Sequence, residues 1–377
     1  MRILFITGSY PPDRCGVGDY TYQLATTLAG LPETEVSILT TAITTDAMEQ
    51  HNVAVRRSLP DWSLRSLRSL VREFRQGRPD IVHVQYPTQG YSGGGLPWLI
   101  PAVAHLCGAR VVQTWHERFN RRDLPKFLAM ALTPGRTIVV RKTWLNQFTG
   151  LFRPIARWRR PICINSGSNL PPSSLTQTEA EALRLRYAVG GRRLIVFFGF
   201  IHPLKRIELL FEIADPETDH VLVIGNIGDQ TDYAARIERL TEEERWCGHA
   251  RVVGFVDRHE AADIIKTADA LILPFQLGGS EVNTSILAGI SQGTFVLTTS
   301  TLANGYEPDI NTFYAAIDGL AEMRQALQAH AGKRRVANVD RGDAFDWTSI
   351  ARQHLDLYRN MLSDGAAPHH SSRNDSA

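Results

Sequence analysis

The sequence predicts an α/β protein with two Rossmann-like, doubly wound parallel-sheet domains facing across a cleft. Three observations carry that expectation. At 377 residues, the chain is longer than one hydrophobic core usually organises. Short apolar runs alternate with amphipathic stretches through both halves, as buried parallel strands and their covering helices do. The alternation stops at Asn165-Ser-Gly-Ser-Asn-Leu-Pro-Pro-Ser-Ser, a cluster of turn formers suited to an interdomain link.

In the first half, strands are expected at Ile3 to Ile6, Val36 to Leu39, Ile81 to Val84, Val111 to Trp115, Ile138 to Val140 and Ile162 to Ile164. Between them, Leu64, Leu67, Leu70, Val71 and Phe74 recur at helical spacing, with Asp61 as N-cap and Gly77 as stop. The second half repeats the pattern at Leu194 to Phe198, Val221 to Ile224, Arg251 to Val253, Ala270 to Leu273 and Phe295 to Thr298. A last helix of about 350–363 follows Trp347, and the polar tail 364–377 lacks the apolar residues to build a core and is expected to be disordered. The domains are therefore drawn at 1–168, joined by that last helix, and at 169–349.

Hydrophobic content of 43% and charged content of 21% are ordinary, and no apolar stretch approaches a membrane span. The apolar start Ile3-Leu-Phe-Ile is too short for a secretory leader, so a cytoplasmic protein is expected. Cys15, Cys107, Cys163 and Cys247 have neither metal-site nor disulfide-scaffold spacing and read as reduced, mostly structural thiols. Net charge is only +2, but Arg136, Arg141, Lys142, Arg153, Arg157, Arg159 and Arg160 lie in a stretch without Asp or Glu. Trp144, Phe148, Leu151, Phe152 and Trp158 interleave with them. Two readings stand: an anionic membrane surface met at the inner face of the membrane, or a solvated basic face over core aromatics. No motif for nucleic-acid binding accompanies the charge.

Four segments carry candidate chemistry. The first strand opens into Gly8-Ser-Tyr-Pro-Pro-Asp-Arg-Cys-Gly16-Val-Gly18 before a helix, where glycine amides and a helix N-terminus can receive a phosphate. Val111-Val-Gln-Thr-Trp-His116 puts a histidine just past a strand's C-terminal end, where open α/β sheets bind ligands. Phe198-Gly-Phe-Ile-His202-Pro-Leu-Lys205-Arg206 places cations just past another strand, where an anionic group can be met. Leu273-Pro-Phe leads into Gly278-Gly-Ser280-Glu281-Val-Asn283-Thr284-Ser285, a loop entering a helix. For each segment a structural alternative stands beside the functional one: a packing glycine, a bonded histidine, a surface lysine and a helix cap.

Taken together and in this order, the four segments resemble family-four retaining glycosyltransferases of the GT-B fold, over Arg2 to about Met361. The resemblance implies an enzyme that moves a sugar from a nucleotide-diphosphate sugar to a hydroxyl, with the second domain holding the donor and the first serving the acceptor. It implies no cofactor and no metal. It places Gly16 and Gly18 at the reaction centre, His116 at the donor sugar and Lys205 at the diphosphate. Phe200 stands where the family has Arg, leaving that cation absent or supplied by His202 or Arg206. The family's two glutamates fall on Ser280 and Ala288; Glu281 is one residue away, and a variant branch carries Ser-Glu with Ser at the place of Ser285. Glu281 is then the acid for the sugar, and the amides of Asn283, Thr284 and Ser285 receive phosphate. Combined with the basic segment, the resemblance points to a lipid-linked saccharide acceptor in polysaccharide or cell-envelope assembly. An epimerase of nucleotide sugars and a catalytically silent binding partner remain open, separated by product analysis without acceptor and by donor turnover.

Overall fold

A computed structural model describes residues 1–13, 15–41, 52–86, 89–91, 93–116, 124–141, 144–145, 148, 150–225, 231–280, 283–335 and 345–363. The chain divides into two compact units, one of Met1–Ser166 with the segment from Trp347 onward, the other of Gly167–Asp346.

The first unit holds a seven-stranded, all-parallel sheet of β1 (Arg2–Ile6), β2 (Glu35–Thr41), β3 (Val53–Leu59), β4 (Ile81–Tyr86), β5 (Arg110–Trp115), β6 (Arg136–Val139) and β7 (Ile162–Cys163), in the order β3-β2-β1-β4-β5-β6-β7. β4 is buried along its whole length, as a strand covered by helices on both faces must be. Helices α1 (Gly16–Ala29), α2 (Leu67–Gly77), α3 (Ile100–Leu106), α4 (Leu124–Leu132) and α5 (Phe152–Trp158) supply that cover, with the helix Trp347–Ser363 packed beside α1. In α1 the positions Tyr20, Leu24 and Leu28, four apart, are all buried.

The second unit repeats the plan with β8 (Arg193–Phe198), β9 (Asp219–Ile224), β10 (Ala250–Gly254), β11 (Ala270–Leu273), β12 (Val296–Thr299), β13 (Gly305–Glu307) and β14 (Thr312–Ala315), ordered β10-β9-β8-β11-β12-β14-β13. The β13–β14 pair is antiparallel and the remaining neighbours are parallel. Its helices are α6 (Gln177–Tyr187), α7 (Leu210–Ile213), α8 (Thr231–Glu242), α9 (Arg258–Thr267), α10 (Thr284–Ser291) and α11 (Leu320–His330); the final helix of the first unit is α12. Local signals set their starts: Thr176 and Glu179 form a reciprocal capping box on α6, and Asp257 caps α9 through the N–H groups of His259 and Glu260.

Three expectations need correction. Strands β3, β13 and β14 were not foreseen from the apolar runs. Asp61 does not cap a helix: it accepts from Ser63 N and Ser66 Oγ, while Ser63 caps a short 3-10 turn at Leu64–Ser66 that runs into α2. None of the four cysteines is fully buried: Cys107 and Cys247 are exposed, so a structural role fails for those two, while Cys163 packs partly buried against the core of the first unit. The expected tail, 364–377, lies outside the described residues.

Candidate functional site

In an open parallel sheet, ligands gather beyond the strands' C-terminal ends where the winding reverses. That reversal falls between β1 and β4 in the first sheet and between β8 and β11 in the second. The candidate residues lie at or next to these two places.

In the first unit, β1 runs into the loop that ends at Cys15, the N-cap of α1. Cys15 makes no side-chain cap bond, which leaves the first amides of α1 to another acceptor. The two glycines there differ. A Cβ on Gly16 would meet nothing within 4 Å, whereas one on Gly18 would stand 2.9 Å from the carbonyl oxygen of Ser9. Gly18 thus packs α1 closely on the loop, a structural need that stands beside its expected place at the reaction centre. Gly16 is the exposed one that a ligand can approach.

His116 follows β5. Its N–H donates to Tyr86 O at 2.7 Å, and its carbonyl accepts from Arg141 Nη2 at 3.1 Å. Its Nε2 lies 2.8 Å from Gln85 Oε1, so Nε2 carries the proton and Nδ1 is left as an acceptor. Burial, then Arg141 and His354, hold its pKa down to about 3, so the ring is neutral near pH 7 and cannot act as a cation. The edge of Tyr20 packs against it at 4.7 Å. Behind Tyr20, its hydroxyl lies 3.4 Å from His354 Nε2, while His354 Nδ1 donates to Ile350 O at 2.8 Å. Fully buried His83 spans Tyr358 Oη at 2.6 Å and Thr114 Oγ1 at 2.7 Å. This chain of neutral side chains ties α12 to the strands that present His116.

In the second unit, the loop after β8 contains Gly199, Phe200, His202, Lys205 and Arg206. Gly199 has φ +144, and a Cβ there would press to 2.9 Å from Ser285 Oγ. Gly199 and Ser285, 86 positions apart in sequence, thereby bring the loop after β8 against the start of α10. Gln276 N donates to Leu204 O at 3.0 Å, joining the loop after β11 to the same turn.

Lys205 projects its ammonium over the ring of Phe275, 4.0 Å from the centroid. Among the described residues it has no carboxylate partner, and burial lowers its pKa. A half-buried cation resting on a ring face is poised for an anion. Arg206 is otherwise engaged: Nη1 donates to Ile317 O at 2.8 Å and pairs with Asp318 at 3.0 Å. That pairing argues against Arg206 as a substitute phosphate cation. His202 Nδ1 accepts from Leu204 N at 3.1 Å, so its proton sits on Nε2 and it offers a donor. Phe200 is 58% exposed and brings no charge.

Asn283 is the N-cap residue of α10, yet its side chain makes no cap bond. It turns back, Oδ1 accepting from Ser280 N at 2.9 Å, while Asn283 N donates to Ser280 O at 2.9 Å. The opening amides of α10, at Thr284 and Ser285, therefore face no side-chain cap, which favours an anion there. Glu281 lies outside the described residues. A separate cavity of about 1050 Å³, lined by Arg192, Arg193, Glu212, Asp215 and Arg324 among others, opens at the N-terminal end of β8, away from these residues. Among the described residues no cluster of three His, Cys, Asp or Glu is arranged to hold a metal ion.

Sequence reading did not single out Gln85, Phe275, Tyr20's link to His354 or Asp318. Gln85 and Phe275 carried a usable signal, since they stand one and two residues past the C-terminal ends of expected strands.

Comparison with known proteins bears on this arrangement. Residues 15–163 match the model of Glycosyltransferase Family 4. No curated protein matches the chain. Among solved structures, a sucrose-phosphate synthase from Thermosynechococcus elongatus is 18% identical with a TM-score of 0.68, covering 97% of this chain and 100% of its own. A glycosyltransferase from Rickettsia africae is 14% identical with a TM-score of 0.70, covering 96% and 99%. HepE from Anabaena, solved in complex with UDP, is 13% identical with a TM-score of 0.66, covering 97% and 99%. Residues 15–163 are thus similar to Glycosyltransferase Family 4, and along nearly its whole length the chain has the two-domain Rossmann-like GT-B fold.

Proposed function

We propose that this protein is a retaining, metal-independent glycosyltransferase that moves a sugar from a nucleotide-diphosphate donor to a hydroxyl, the acceptor being a lipid-linked saccharide of polysaccharide or cell-envelope assembly. The observation that carries the reading is Lys205, a half-buried ammonium with no carboxylate partner among the described residues, resting on Phe275 beside the winding reversal of the second sheet. A leaving nucleoside diphosphate develops negative charge, and a fixed cation with little water around it stabilises that charge strongly.

The residues divide the work as follows. Lys205 balances the departing diphosphate, and the amides of Thr284 and Ser285 with Ser280 and Asn283 hold phosphate at the start of α10. His202 adds a donor through Nε2. Gly16 admits the donor close to the opening amides of α1. His116, neutral, accepts a sugar hydroxyl at Nδ1, and Glu281 addresses the sugar from the second unit. The acceptor oxygen attacks the anomeric carbon from the side of the leaving diphosphate, whose oxygen takes the proton. UDP in the Anabaena structure supports a uridine donor as the first to test. The acid-free stretch from Arg136 to Arg160 supports contact with an anionic membrane, the setting of a lipid-linked acceptor.

A panel of UDP- and GDP-sugars tests the donor. A true donor at a hundred times its Kd stabilises the folded state by about 2.7 kcal/mol, a clear rise in melting temperature. No rise with any member of the panel would remove the donor from the proposal.

A further inference from the structure

We infer that this chain docks on anionic lipid through the N-terminal edge of its first sheet, by three consecutive helix-to-strand turns. The inference deepens the membrane reading above by naming the surface, and it includes residues outside the basic segment.

The turns 105–110, 132–136 and 157–162 lead into the adjacent strands β5, β6 and β7. Each ends a helix at an exposed apolar side chain: Leu106 is 85% exposed, Leu132 63% and Trp158 61%. Each also brings exposed cations, namely Arg110, Arg136, and Arg157 with Arg160, and the three turns contain no Asp or Glu. They form one surface. His105, Arg110, Pro134 and Arg136 line a shared cavity of about 180 Å³. Arg159 then clips the third turn to the second, donating to Thr133 O at 2.8 Å, Gly135 O at 3.1 Å and Thr137 Oγ1 at 3.1 Å.

Water is a poor environment for three large apolar side chains at the ends of successive helices, and their cost is removed where they enter an interface. The charge decides which interface. A second copy of this surface would set cation against cation, whereas an anionic bilayer attracts each Arg and takes Trp and Leu at the headgroup boundary. The inward use of Arg159 means that the basic segment does not act as a whole.

The full chain is to be sedimented with phosphatidylcholine vesicles, with and without phosphatidylglycerol, beside a Leu106→Glu, Leu132→Glu, Trp158→Glu triple variant and Leu185→Glu, an exposed control in α6. All four positions are exposed, so folding should persist, checked by melting temperature and by donor-induced stabilisation. Binding is expected only with the anionic lipid, reduced about tenfold or more in the triple variant and unchanged in the control. Equal binding by the triple variant overturns the surface, as does a concentration-dependent dimer that the variant abolishes while vesicles stay unbound. Absence of vesicle binding by the parent chain, with its donor stabilisation intact, sinks the docking surface and leaves the transferase reading standing; vesicle binding without donor stabilisation does the reverse.

Discussion

Lowering pH from 7.5 to 5.5 should loosen the first unit by an amount that can be counted from two side chains. His83 and His354 are fully buried, and burial depresses both, His354 to about 4 and His83 well below its ordinary value of 6.5. A depressed histidine binds its proton more readily in the unfolded chain. Its stabilising contribution is therefore complete above pH 6.5 and is lost as pH falls toward the folded value. Within that window each such group contributes about 1.4 kcal/mol per pH unit. Two groups taken from pH 7.5 to 5.5 cost about 2.7 kcal/mol, equivalent to roughly 5–10 °C in melting temperature for a unit of this size. Half-buried His116 adds to this. Intrinsic fluorescence isolates the effect, because Trp62, Trp98, Trp115, Trp144, Trp158 and Trp347 belong to the first unit and only Trp246 to the second. Replacing His354 by Gln should remove about a third of the pH dependence that the three histidines share. A melting temperature that moves by less than about 2 °C over this range would refute a neutral, buried histidine pair.

Other expectations concern the glycines, the histidine clamp and metal dependence. Gly18→Ala should destabilise the protein by about 1–3 kcal/mol through collision with Ser9, whereas Gly16→Ala should leave stability intact and weaken donor binding, both read by thermal unfolding with and without donor. Gln85→Leu frees His116 Nε2 and should lower kcat roughly tenfold while shifting the pH profile, which Gln85→Asn should partly rescue. Because Lys205 supplies the charge, turnover should persist after exhaustive treatment with a chelator; collapse that Mg²⁺ restores would require a different electrophile.

Much of the fold was readable because central strands in wound sheets are continuous apolar runs, as Ile3 to Ile6 and Ala270 to Leu273 are. β3 escaped because it is an edge strand, and an edge tolerates Arg56 and Arg57 where a central strand would not. β13 and β14 were too short, and too mixed in Tyr and Thr, to give a period. The candidate site was readable as motifs but not as physics. Gly16 and Gly18 look alike in sequence, and only the position of Ser9 separates a glycine open to a ligand from one needed for packing. Lys205 and Arg206 are adjacent cations, yet Asp318 claims one and Phe275 underlies the other, partners supplied by distant strands. The neutrality of His116 depends on burial, Arg141 and His354, and its ring is held by Gln85 and Tyr20, none of which a local pattern connects to it.

Turnover by Lys205→Ala, measured with the donor selected by thermal stabilisation, bears most directly on the central claim. Loss of the ammonium should cut kcat by about a hundred- to a thousandfold with the melting temperature unchanged. A variant that folds normally and transfers sugar at close to the parent rate would contradict it.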